Sequence, residues 1–103
     1  MILARVEGSL VATKKNEKMR GSKMLIVRPL GVESAEAREF TPGKSTLVAV
    51  DTLGAGDGDV VLVVQGSSAR LAADNKDAPL DAVVVGIVDA VDLGKNKLVY
   101  KAG

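Results

Sequence analysis

From Ile2 to Thr13 apolar and polar side chains alternate, with Ile2, Ala4, Val6, Leu10 and Ala12 on one parity and Arg5, Glu7, Ser9 and Thr13 on the other. Successive side chains of a strand point to opposite faces, so this pattern predicts a long strand with one buried face. Gly8 falls on the apolar parity, where a missing side chain lets a strand bend sharply or another backbone approach. After the charged stretch 14–22, Lys23-Met24-Leu25-Ile26-Val27-Arg28 predicts a second strand. Pro29 has no N–H to give a ladder and is expected to end it. Residues 31–45 carry Glu33, Glu36, Arg38, Glu39, Pro42 and Gly43 without a sustained period, which predicts an excursion between strands.

Thr46 to Val50 predicts a short strand, and Asp59 to Gln65 another whose nearly continuous valines indicate burial on both faces. Ser67 or Ser68 is positioned to cap one helical turn through Leu71-Ala72-Ala73, since a serine oxygen accepts an otherwise orphan N–H. Asp74-Asn75-Lys76-Asp77-Ala78-Pro79 is turn chemistry. A second long strand is expected from Asp81 to Leu93, with Val83, Val85, Ile87, Val91 and Leu93 on one parity. Gly94-Lys95-Asn96-Lys97 then reads as a hairpin turn into Leu98-Val99-Tyr100. Several strands, one short helix and no βαβ unit predict an all-β fold: a small closed or nearly closed antiparallel barrel, similar to the oligonucleotide/oligosaccharide-binding (OB) fold.

Composition narrows what such a barrel does. The 103 residues, 47% of them apolar, fit a single domain spanning 1–103. Its core must be aliphatic, because Phe40 and Tyr100 are the only aromatic residues. Fourteen basic and thirteen acidic residues leave a net charge of +1, too little field to attract nucleic acid or an anionic membrane. Cysteine and histidine are both absent, which removes thiol nucleophiles, the usual zinc ligands and the commonest general base. Arg5 and Glu7 interrupt the N-terminal run where a signal peptide needs apolar residues, and no apolar stretch approaches the ~18 residues of a membrane span. A cytoplasmic location is expected.

The glycine-rich run Asp51-Thr52-Leu53-Gly54-Ala55-Gly56-Asp57-Gly58-Asp59 could be taken for a dinucleotide loop. That site needs the glycines to open a helix; here a valine strand follows, and Asp57 and Asp59 would repel phosphate. A backbone corner between two strands is the better reading. Gly43-Lys44-Ser45 ends like a P-loop, but the first glycine of that motif would fall on Arg38. Ser67 and Ser68 beside Arg70 lack an activating base. Asp89 and Asp92, three positions apart, point to opposite strand faces and do not share a cation. No catalytic, cofactor or metal site is expected, and so no enzyme activity. An OB-like barrel also raises single-stranded nucleic-acid or small-ligand binding as an alternative, although two aromatics are few for a stacking platform.

The chain resembles the EutN/CcmL family of bacterial microcompartment shell vertex proteins. The most specific segment is Asp51 to Gly56 with Gly58, followed by Val60-Val61-Leu62-Val63 and Gly66-Ser67-Ser68-Ala69-Arg70. Ile2 to Lys15 looks like the first strand of that family, Leu25 to Leu30 its second, and Ala78 to Asp89 its closing strand. The resemblance implies a structural, non-catalytic barrel that forms a homopentamer at the five-fold vertices of a polyhedral shell, beside hexagonal shell proteins. It also implies a subunit-interface or ring-axis role for Gly54, Ala55, Gly56, Ser67, Ser68 and Arg70.

Overall fold

A computed structural model of the chain describes residues 1–12, 17, 23–72, 81–94 and 98–103; the side chains of Ser68, Arg70 and Leu71 lie outside the described set. The charged loop expected over 14–22 apart from residue 17, the end of the expected helical turn at Ala73, the turn expected over Asp74–Pro79 and the tip of the hairpin at 95–97 lie outside the described residues. The elements run β1 (Ile2–Leu10), β2 (Lys23–Gly31), β3 (Thr41–Pro42), β4 (Leu47–Asp51), β5 (Val60–Gln65), α1 (Ser67–Ala72), β6 (Ala82–Ile87), β7 (Ala90–Asp92) and β8 (Leu98–Lys101).

Strands pair in the order β1-β5-β6-β4-β2-β3, and β1 also pairs with β2, so five strands close on themselves and β3 hangs outside as an annex to β2. Four seams of this barrel are antiparallel; the fifth, β4 with β6, is parallel and holds two registered pairs, Val50↔Val83 and Asp51↔Val84. This is the OB-like closed barrel that the strand pattern predicts. A five-stranded barrel is narrow, because diameter grows with strand number, and its interior takes only small side chains. Ala4, Val6, Leu25, Val27, Ala49, Val61, Val63, Ala82 and Val84 fill it together with Ala55. Each fully enclosed valine or leucine contributes roughly 1.5–3 kcal/mol relative to exposure.

A second, smaller core lies outside the barrel wall. Met24, Val50 and Val83 face outward and are roofed by Ala69 of α1, with Leu10, Ala12 and Val64 packed at the edge. Burial of β5 on both faces follows, since Val61 and Val63 point inward while Val64 points to the second core.

Two expectations from strict alternation fail, each because of a bulge. Along β1, Val6 pairs with Val27 and Gly8 with Ile26, leaving Glu7 without a counterpart. One extra residue inverts the parity beyond it, so Leu10 and Ala12 join the outer core instead of the face carrying Ala4 and Val6. Gly8 thus marks the bend expected of it, with open space where a Cβ would stand. Along β6, Val84 pairs with Val63 and Gly86 with Leu62, leaving Val85 unpaired. The single parity expected for Val83, Val85 and Ile87 is broken there, because Ile87 is in register with inward-facing Val61 while Val83 faces the outer core, and the long strand expected from 81 to 93 is instead β6 and β7 separated at Val88 and Asp89.

Pro29 does not end its strand. It lies opposite Ala4 within β2, and its carbonyl accepts the Gly43 N–H at 2.8 Å. In a strand the N–H and C=O of one residue point the same way, so the donor that Pro29 lacks would have faced the gap between β3 and β4, not the β1 ladder. The helix also begins differently from expectation: Gly66, with φ +74, precedes it and its carbonyl accepts the Ala69 N–H at 3.0 Å. Ser67 is the first helical residue and is exposed.

The terminal hairpin β7–β8 forms a separate two-stranded sheet against the 31–45 excursion. Phe40 and Tyr100 meet with ring centroids 6.2 Å apart at 40°, and the Arg5 guanidinium lies 6.0 Å from the Phe40 centroid. At Gly94 a Cβ would come within 3.3 Å of the Ala35 carbonyl oxygen.

Candidate assembly surface

The corner between β4 and β5 is built around one carboxylate. Asp51 ends β4 on the inward parity set by Ala49 and is 5% exposed, the one buried charged residue among those described. Its Oδ1 accepts the Leu53 N–H at 2.9 Å and its Oδ2 accepts the Ala55 N–H at 2.8 Å. Aspartate readily bonds backbone amides a few residues ahead, and an ionised acceptor makes such bonds about twice as strong as neutral ones. Lys23, opposite Asp51 in the β2–β4 register, donates from Nζ to the Ala55 carbonyl at 3.3 Å. Both polar groups of Ala55 are therefore held, and its methyl is 1% exposed in the barrel core.

Between those anchors the chain must reverse, and Gly54 does so at φ +86, a region that costs an L-residue strain. Beyond Ala55, Gly56 donates to Asp59 Oδ2 at 2.8 Å, and the Asp59 N–H donates back to the Gly56 carbonyl at 3.0 Å. The loop is then stitched to β1: Gly58 donates to the Val6 carbonyl at 2.8 Å and Val6 to the Asp59 carbonyl at 2.9 Å. Leu53, 49% exposed, stands out from this fixed frame.

The six residues singled out by sequence fall into two groups flanking β5. Gly54, Ala55 and Gly56 form the corner before it, and Ser67, Ser68 and Arg70 belong to α1 after it. Gly54, Gly56 and Ser67 are exposed, and a Cβ at Gly56 meets only Asp59 Oδ2, at an ordinary 3.9 Å. Ala55 differs, since its side chain is enclosed by its own barrel. The sequence reading assigned no role to Asp51, although an aspartate just before a Leu-Gly-Ala-Gly turn is the signal for such a clamp. It also passed over Val48 and Leu53, which with Val85 and Ile87 are large apolar side chains left open to solvent.

Elsewhere on the wall, Arg28 Nε donates to Glu7 Oε2 at 2.7 Å and its Nη1 to the Gly43 carbonyl at 2.8 Å, tying the β1 bulge to the loop before β4. No group of three or more acidic residues among those described is arranged to hold a metal ion. No helix among the described residues is long and apolar enough to cross a membrane.

The architecture defines a class: a five-stranded OB-like barrel whose one glycine corner is clamped by a buried aspartate and whose wall carries uncovered apolar side chains. Residues 1–89 match the family described as ethanolamine utilisation protein EutN/carboxysome, and the chain belongs to that family. It is 45% identical over 92 residues to the bacterial microcompartment shell vertex protein GrpN of Rhodospirillum rubrum (strain F11), covering 89% of this chain and 97% of GrpN. It is 40% identical over 101 residues to the carboxysome shell vertex protein CcmL of Synechocystis sp., covering 98% and 95% of the two chains. Among solved structures, the pentameric microcompartment shell protein GrpN from Rhodospirillum rubrum superposes with a TM-score of 0.74 at 44% identity, covering 89% of this chain and 98% of that one.

Proposed function

We propose that this protein is a structural subunit that closes into a homopentamer and caps the five-fold vertices of a bacterial microcompartment shell. The observation that carries this reading is the likeness, across the corner-bearing barrel, to proteins described as shell vertex proteins, one of them solved as a pentamer. Flat hexagonal tiles do not close a polyhedron without pentagonal units, so a five-membered ring supplies curvature through geometry alone. Such a ring uses heterologous contacts, each copy offering two different surfaces to its two neighbours. The partners are then further copies of the chain and hexagonal shell proteins, in the cytoplasm. The protein works by assembly, without catalysis or cofactor.

In this reading Gly54 and Gly56 shape a contact near a subunit seam or the ring axis, with Ser67, Ser68 and Arg70 of α1 contributing to it, while Ala55 anchors the corner from within. Nucleic-acid binding is less well supported, because the two aromatic rings pair with each other instead of lining a basic groove. Native mass spectrometry of the purified protein over a range of concentration and salt tests the proposal. A persistent five-subunit species is expected; a monomer under every condition would overturn it.

A further inference from the structure

We infer that the 31–45 excursion and the terminal hairpin β7–β8 open from the barrel together as one arm, and that Glu7 is the positioning residue of an electrostatic latch that holds this arm closed. The latch starts from a like-charge conflict. Arg5 and Arg28 stand directly opposite each other in the β1–β2 register, on the parity opposite to inward-facing Ala4, Val6 and Val27, and like charges so placed repel. The residue that the β1 bulge inserts beside them is Glu7, whose carboxylate accepts from Arg28 Nε at 2.7 Å and also feels the charge of Arg5. Each arginine then reaches the excursion. The Arg5 guanidinium lies 6.0 Å from the Phe40 centroid, within cation–π range, and Arg28 Nη1 donates to the Gly43 carbonyl at 2.8 Å. Because the guanidinium is a rigid planar fork, fixing its Nε on Glu7 also aims its Nη1 at Gly43.

The hairpin depends on this arrangement for its support. Among the described residues, no side chain of 31–45, β7 or β8 belongs to either hydrophobic core. Strands of three and four residues make a two-stranded sheet that is marginal in water at best, so β7–β8 must lean on something. It leans on the excursion, where Tyr100 of β8 meets the Phe40 ring and Gly94 lies against the Ala35 carbonyl. Phe40 thus links the barrel wall, through Arg5, to the hairpin, through Tyr100. A change of charge at Glu7 therefore reaches the far end of the sequence by way of Arg5 and Phe40. Opening the arm leaves both cores intact, which makes it a sub-global event of lower free energy than unfolding.

Amide hydrogen exchange on the intact protein tests the latch at two reporters. The Ala102 N–H, bonded to the Asp89 carbonyl at 2.8 Å, reports on the hairpin, and the Gly43 N–H, bonded to the Pro29 carbonyl at 2.8 Å, reports on the excursion. Both should exchange at least about tenfold faster than the β5 amides, as a sub-global opening requires. Glu7→Gln should speed both by about two- to fivefold at low salt, the range of an exposed ion pair. In about 1 M salt, where the Debye length falls to about 3 Å, parent and variant should exchange alike. Glu33→Gln removes the same charge from an exposed position on the excursion itself and should stay within about 1.5-fold of the parent. On a Phe40→Ala background the effect of Glu7→Gln at Ala102 should vanish. The inference is overturned if Ala102 exchanges as slowly as β5, if Glu7→Gln leaves Ala102 unchanged or moves Gly43 alone, if Glu33→Gln has an equal effect, or if the Glu7 effect survives either high salt or the loss of Phe40. These readouts stand whatever the number of subunits in the assembly.

Discussion

Glu7, the residue left without a counterpart in the β1–β2 register, is held by Arg28 at 2.7 Å. The hydrogen bond from Arg28 lowers the Glu7 carboxyl below the ordinary glutamate value of 4.5, opposed by partial desolvation and helped by the charges of Arg28 and Arg5. A carboxylate whose native pKa is depressed stabilises the fold fully above its unfolded value and loses that contribution as pH falls through the native one. We therefore expect Glu7→Gln to melt below the parent protein at neutral pH, and the gap to shrink as melts are run at successively lower pH below about 4.5. A gap that stays constant down to pH values where glutamate is protonated would show that the pair is not what Glu7 contributes.

Replacing Asp51 by asparagine keeps the shape but turns an N–H2 toward one of two backbone donors in a buried position. Leaving such a donor unsatisfied costs about 1–3 kcal/mol. Urea unfolding followed by circular dichroism should show a lower midpoint with an unchanged slope.

The two exposed corner glycines should respond differently to alanine. Gly54 sits at φ +86, where an L-residue costs about 1–2 kcal/mol, although nothing stands within 4 Å of its Cβ position. Gly56 has no such φ, and its alanine should be neutral within about 0.5 kcal/mol. Equal effects in urea titrations would mean that backbone strain is not what selects glycine at 54.

A bulky charge at Gly56 probes assembly instead of folding. There is room for a side chain in the single subunit, so Gly56→Arg should fold normally yet weaken the ring more than Glu36→Arg, an exposed change in the 31–45 excursion. Light scattering that finds both variants equally pentameric would remove Gly56 from the contact.

Phe40 and Tyr100 should be energetically coupled. A double-mutant cycle with alanine at each is expected to give about 0.5–1.5 kcal/mol, toward the lower end because both residues are only partly buried. The matching hydrogen-exchange experiment on Phe40→Ala should show lost protection in β7 and β8 before the barrel strands.

The strands were legible because alternation and valine runs are local properties, as at Ile2 to Val6 and Val60 to Val64. What alternation does not reveal is where a partner strand lacks a residue. Glu7 and Val85 become bulges only through their ladders with β2 and β5, and each reverses the inside-outside reading that follows it. Pro29 was misjudged for a related reason: whether a missing N–H matters depends on which neighbour it would have faced. The glycine corner was visible as a corner, but its clamp required the fold to bring Lys23 opposite Asp51. The contact between Phe40 and Tyr100, sixty positions apart, has no local signature at all.

The parallel seam that closes the barrel holds two pairs, and one of its four residues is Asp51. Closing the cylinder and setting the corner therefore draw on the same residue: a chain in which β6 has not yet docked on β4 has not fixed the carboxylate that shapes the turn.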